Sequence, residues 1–342
     1  AARTAATCAA SISPALPPAR LTALSATPRR RATSSRSAAT RASSSAWRVV
    51  SVTDYGAVAD NATDNTAAFR AALLAVAADG GGEVVVPALG IFKTAPVNLT
   101  SNVRLTVLGT MWGVENATLF PLVPALPSYD CPDGMPGPRH HPFVWAVGAT
   151  NVSIAGGGEI NGAGPYWWMC GTPPVHCYAI NRPHILELHN VTGAEVTGVT
   201  LRNSAFWTFR PVYSTDVHIH DMEIQNPWCN EGGMNTDGID VDSSQNVLIE
   251  NNVISCGDDH VTVISGAGAA GRAFAMPSRN VTVRNFTVTS HFPLKPAARV
   301  VHADPQNSLL HVELLEGQVT PEEKPAYFSN FNEGFALTDA CG

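Results

Sequence analysis

NVLIENNVISC, residues 246–256, is a short β-rich run opened by asparagine, and three other stretches match it. They are AEVTGVTLRN (194–203), DVHIHDMEIQN (216–226) and NVTVRNFTVTS (280–290). Anchored at Ala194, Val217, Val247 and Val281, the four share their apolar offsets. Two residues on stand Val196, Ile219, Ile249 and Val283, and seven residues on stand Leu201, Ile224, Ile254 and Val288. At the fifth offset Val199, Met222 and Phe286 agree, but Asn252 breaks the column. NVRLTVLG and NVSIAGGG carry the same opening at Val103 and Val152, and the four anchors are spaced by 23, 30 and 34 residues.

Columns that keep register over several strand-rich units, with no helix between strands, describe a solenoid in which each coil buries its apolar positions on the next. The expected fold is therefore all-β, a single-stranded parallel β-helix. An antiparallel sandwich would also supply short alternating strands, but gives no reason for shared columns. The longer coils 217–246 and 247–280 must extrude loops, and a cleft is expected there. Ahead of the repeats, TDNTAAFRAALLAVAADGGG reads as a capping helix. Asp64 is its candidate N-cap, Phe69, Leu73, Leu74 and Val76 its apolar stripe, and glycines 80–82 its stop.

The chain has 342 residues, 45% of them hydrophobic, enough for a sizeable core. Its net charge of −7 is uneven: residues 1–48 hold eight Arg and no acid, so the remainder carries −15. An acidic body argues against nucleic-acid binding, and no apolar run is long enough for a membrane span. The Ala/Ser/Thr/Arg-rich stretch 1–48 reads as a disordered leader or targeting segment. Residues 49–290 are the expected β-helix domain, and 291–342 a divergent tail. Seven dispersed cysteines and seven sequons (Asn61, Asn98, Asn116, Asn151, Asn190, Asn280, Asn285) fit a secreted glycoprotein with one or two disulfides, Cys170–Cys177 being the nearest pair.

The enlarged coils also hold the acidic residues: Asp237, Asp240 and Asp242, then Asp258–Asp259. Asp237 and Asp258 are 21 residues apart, close to one coil, so Asp237 and the pair should converge on one patch. Carboxylates held together cannot all ionise freely, and such a set suits acid/base hydrolysis of a glycosidic bond. Asp240 and Asp242 read instead as turn caps. Clustered carboxylates could alternatively hold calcium.

NTDGID followed by GDD resembles the polygalacturonases, a glycoside hydrolase family, over about Val52 to Ser290. VTDYGAVADNATDNTAAFRAAL resembles that family's N-terminal cap, and NRPHILELHN, NSAFWTFRPVYSTDV and GRAFAMPSRNVTVRN its plant- and bacterial-type members. The resemblance implies a right-handed parallel β-helix acting on the α-1,4-galacturonan of pectin with inversion. Asp258 would be the general acid, Asp237 and Asp259 would activate water, and Asn235 would line the site. Inversion would call for about 6.5–9.5 Å between acid and base carboxyls. No metal or other cofactor is implied, and the implied protein is an extracellular, cell-wall-acting monomer.

This sequence departs from the family pattern where Ile264 stands in place of a polar or cationic residue before Ser-Gly. Only His291 lies near the usual Gly-His-Gly, as a candidate substrate contact, and the later Arg-x-Lys is absent. Arg202, Arg210, Arg272 and Arg279 are the cations that could offset the acidic cleft, and Trp207, Tyr213 and Trp228 suit sugar stacking. Two rival classes share the architecture: a calcium-dependent lyase and a carbohydrate-binding β-helix without turnover.

Overall fold

The computed structural model describes residues 47–129, 138–168, 182–227, 233, 235–288 and 300–302. Three parallel sheets run the length of the molecule. The first has eight strands, ending in Thr192–Thr197, Thr215–His220, Gln245–Glu250 and Arg279–Arg284; the second also has eight, from Asp60–Asp64 to Thr287–Val288. The third has seven, among them Leu186–His189, Phe209–Val212, Ile239–Asp242, Val261–Ile264 and, last, Val300–His302. From Gly82 to His302 the chain visits first, second and third sheet in turn, seven times over. Among the described strands only the short pair Leu122–Val123 and Arg139–His140 is antiparallel.

The sequence columns are the ladders. Val103, Val152, Ala194, Val217, Val247 and Val281 lie in one row of register, and Leu201, Ile224, Ile254 and Val288 in another. A further column of the first sheet, Val84, Leu105, Ile154, Val196, Ile219, Ile249 and Val283, is at most 1% exposed throughout. Burying each of these side chains contributes about 2 kcal/mol, which no isolated coil could collect.

Asn252, the break in the fifth-offset column, is 1% exposed. Its Oδ1 accepts from the Met222 amide at 3.0 Å, and its Nδ2 donates to the Ile219 carbonyl at 3.2 Å. It thus joins two coils at a corner, where the chain turns from the first sheet to the second and leaves backbone groups unpaired. Five of the seven sequon asparagines (61, 151, 190, 280, 285) sit at positive φ, a backbone state asparagine tolerates better than most residues, so asparagine has a backbone role at these positions.

The helix, α1 (Thr66–Ala78), buries Ala68, Phe69, Ala72, Leu73 and Val76 over the start of the solenoid. Two details differ from expectation. Leu74 is 70% exposed, one residue off the buried face. The N-cap residue is Asn65, and Asp64 instead accepts from the Thr66 amide at 3.0 Å. Beyond Ser290 the third sheet gains the strand Val300–His302, paired with Val261–Val263. The expected Cys170–Cys177 pair and the tail strand SLLHVELL (308–315) lie outside the described residues. Cys256 is described, and is a buried free thiol whose pKa burial raises.

Candidate active site

Asp237 and Asp259 each stand two residues before a strand of the third sheet, Ile239–Asp242 and Val261–Ile264. Ile239 pairs with Val261, so the local coil is 22 residues long and Asp237 is in register with Asp259. The 21-residue spacing read from sequence picked the neighbour, Asp258, which lies one position short of register. All three nevertheless converge: one carboxylate oxygen from each lies within 4.8 Å of the other two.

The residues around the aspartates explain the motif. Thr236 donates its hydroxyl to the Gly233 carbonyl at 2.6 Å and accepts from the Gly257 amide at 3.0 Å, tying the loop of one coil to the next. At Gly238 a Cβ would come 2.4 Å from the His260 carbonyl oxygen, so the coils could not close with any side chain there. Asp258 is oriented locally: its Oδ1 accepts from the Asp259 amide at 2.9 Å, and its Oδ2 from Asn235 Nδ2 at 3.4 Å. Asn235 in turn accepts from Arg182 at 3.4 Å.

Asp237 is 5% exposed and Asp259 7%, whereas Asp258 is only half-buried. Burial, then Asp240, Asp258 and Asp259, raise the Asp237 pKa well above the usual carboxylate range. Its Oδ1 has no hydrogen-bond partner among the described residues. Asp240 is raised for the same reason, burial first, with Thr262 and Arg210 opposing. The site is therefore a coupled, proton-retaining set of carboxyls.

Asp240 is not a turn cap, and Asp242 is one only in part, its Oδ1 accepting from the Gly266 amide at 2.9 Å. They sit within a strand, at 1% and 0% exposure, on the side of the third sheet facing away from the Ile239/Val241 core. The hydroxyl of Thr262 donates to Asp240, while Arg210 and the Tyr129 hydroxyl (2.7 Å) donate to Asp242. Farther along the same side Arg139 forms a two-pronged pair with Glu187, at 2.6 and 2.7 Å. A local pattern such as IDVD cannot reveal that a partner cation waits one coil away.

Of the cations weighed from sequence, Arg202 is engaged by Glu159 at 3.1 Å and Arg210 by Asp242. Arg279 begins an outer strand of the first sheet, and Arg272 lies in the short helix Gly268–Phe274. The cation that reaches the carboxylates is Arg182, packed over Phe206 and interacting electrostatically with Asp237. Burial lowers its pKa to about 10, which leaves it charged at neutral pH. Its one sequence signal was an Arg-Pro pair just ahead of a strand. His260, beside Asp259, was also missed: burial lowers its pKa to about 4, and neither ring nitrogen has a partner among the described residues.

Trp207 is half-buried beneath the Arg210 guanidinium, 4.9 Å from ring centre to Cζ, in the coil preceding Asp237. Tyr213 is buried, its hydroxyl bonded to Ser128, so it serves packing. Ile264 is 8% exposed at the strand end. His291 and Trp228 lie outside the described residues.

Residues 82–290 match the model of the glycosyl hydrolases family 28. A Vitis vinifera protein named "Probable polygalacturonase" is 32% identical over 71% of this chain and 49% of its own length. An exo-poly-alpha-D-galacturonosidase of Dickeya chrysanthemi is 29% identical, over 70% of this chain and 45% of that protein. The chain thus spans about half the length of these relatives. The crystal structure of a Thermotoga maritima exopolygalacturonase superimposes with a TM-score of 0.67 at 27% identity, covering 78% of this chain and 65% of that one. The fold is accordingly a right-handed parallel β-helix, and with the family model covering more than half of its residues this chain is a member of glycosyl hydrolase family 28.

Proposed function

We propose that the chain hydrolyses the α-1,4-galacturonosidic bonds of pectic polysaccharide by general acid/base catalysis, without a metal. The observation that carries this reading is the convergence of Asp237, Asp258 and Asp259 within 4.8 Å at one edge of the third sheet. In support, the relatives are named for polygalacturonate cleavage.

A proton shared among coupled carboxyls belongs to the set rather than to one member. The acid role falls to Asp258, the member with most access to a leaving oxygen. Asp237 and Asp259, stacked one coil apart, form the base. One oxygen from each of the three carboxyls lies within 4.8 Å of the other two. One water donating to two oxygens at about 2.8 Å each places those oxygens about 4.5 Å apart, so the trio has the dimension of a water-holding site. Inversion through that water follows, and the first-formed sugar should be the β-anomer.

In this reading residues 49–290 are the catalytic solenoid, 1–48 a leader and 291–342 a tail that lends the strand Val300–His302 to the third sheet, and the enzyme acts outside the cell as a monomeric glycoprotein on walls. Asn235 and Arg182 position Asp258 and meet the anionic substrate, with His291 as a further contact.

The test measures reducing ends released from polygalacturonate and rhamnogalacturonan by the full chain, with a chelator present, beside Asp258→Asn. Release that the variant loses supports the proposal. Release abolished by the chelator, with an unsaturated product, would assign a calcium-dependent lyase instead. Tight binding of pectic fragments without release would assign a binding protein.

A further inference from the structure

The outer side of the first sheet, separate from the carboxylate site, carries a second cluster of coordinating side chains. His218 and His220 lie two apart on Thr215–His220, so both point away from the core that Val217 and Ile219 enter. Their rings stack with centroids 4.0 Å apart. Glu195, on the preceding coil, is in register with His218, and Glu250, on the following coil, with His220. One donor atom from each of Glu195, His218 and His220 lies within 4.8 Å of the other two.

The hydrogen bonds set the chemistry of these rings. His220 Nδ1 lies 2.6 Å from Asp221 Oδ2, so this nitrogen carries the proton that the carboxylate accepts. Nε2 then turns towards Glu195 Oε1 at 3.4 Å. In the neutral ring those two atoms are both acceptors, and only a proton or a cation between them makes the approach favourable. Two ligands each about 2.0–2.1 Å from a tetrahedral zinc ion lie about 3.3–3.4 Å apart, the separation found. Asp221 behind the ring is the carboxylate partner that metal-bound histidines characteristically have. His218 Nε2 meets Glu250 Oε1 at 2.9 Å, while Arg284 takes the other Glu250 oxygen at 2.6 Å and balances its charge.

We propose that Glu195, His218 and His220 form a binding site for a divalent transition ion of the zinc type, which clamps neighbouring coils of the solenoid. Two imidazoles and a carboxylate suit zinc and its first-row neighbours; calcium and magnesium prefer all-oxygen sets. The site lies on a different sheet from Asp237, Asp258 and Asp259, so its role is structural and stands apart from the proposed hydrolysis.

The experiment uses the full chain without a histidine tag, stripped with chelator. It is titrated with Zn2+ by calorimetry and with Co2+ by absorption, alongside His218→Ala/His220→Ala and Asp221→Asn. The parent should bind one equivalent of Zn2+ that the double variant loses. Asp221→Asn should bind about 10-fold more weakly. Zinc should raise the melting temperature of the parent but not of the double variant, because only the folded state presents the site. The cobalt complex should show tetrahedral ligand-field bands without thiolate charge transfer. Equal Zn2+ binding by parent and double variant, thiolate bands that assign the ion to cysteine, or no zinc binding by the parent would each overturn the proposal. Both histidines lie outside the core, so circular dichroism of the double variant should match the parent.

Discussion

Two stretches of the third sheet bury charge, and they do it in opposite ways. Around Leu186–His189 and Phe209–Val212 charge is matched: Glu187 holds Arg139 on both oxygens, and Arg210 reaches Asp242 at the far end of the next strand. Burial pushes Glu187 upwards, but Arg139, with His189 and His184 nearby, more than offsets it and keeps the carboxyl well below its usual range. One coil further on, Asp237 and Asp240 are buried as deeply, and their pKa values go well up. The difference lies in the ratio of charges. Near Asp237 four carboxyls share the half-turn with Arg182 and the far side of Arg210. The paired stretch is built for permanence and the acid-rich one for proton transfer, since crowded carboxyls there share a proton that the set can pass to a leaving group.

The largest expected effect is at the acid-rich end. Asp258→Asn should lower the hydrolytic rate by about 10²–10⁴, the usual worth of a general acid, with stability little changed because the side chain is half-buried. A variant retaining more than a tenth of the parent rate, measured by reducing ends, would move the acid role elsewhere in the trio. At the paired end the order reverses. Arg139→Met leaves Glu187 buried without its main partner, and urea unfolding should show a loss of about 3–5 kcal/mol. A loss below 1 kcal/mol would mean that Glu187 is satisfied without its arginine, and the contrast between the two stretches would weaken.

How much of this was legible beforehand follows from what a repeat encodes. Columns such as Val196, Ile219, Ile249 and Val283 are written at fixed offsets, so both the fold and the register of the first two sheets could be read directly. The third sheet follows loops of variable length, and there the offset slipped by one, from Asp258 to Asp259. Asp242 was only half legible for the same reason: it does cap the Gly266 amide, but its partner Arg210 is 32 residues away in a register that local pattern does not supply. Arg182 reaches the site through a coil closure that no spacing announces. Asn252 looked like an error in the column, and is a designed corner. Asn252→Ala would leave the Met222 amide and the Ile219 carbonyl buried and unpaired, at about 2 kcal/mol by chemical denaturation. A neutral result would imply that water replaces the amide.

A pH-dependent effect tests the comparison most directly. Asp237 has a folded-state pKa above its unfolded value of about 3.9, so its contribution to stability is fully present below that value. As pH rises through the folded pKa the buried carboxyl must ionise beside Asp240, Asp258 and Asp259, and that contribution is lost. Asparagine at this position has the shape of the protonated acid and cannot ionise. Asp237→Asn should therefore match the parent in melting temperature near pH 4. As pH rises above 4 it should become progressively more stable than the parent, by about 1.4 kcal/mol per pH unit until the folded pKa is passed, while losing hydrolytic activity. A variant less stable than the parent at every pH would mean that the carboxyl is held by a partner after all. The acid-rich stretch would then differ from the paired one in position but not in kind.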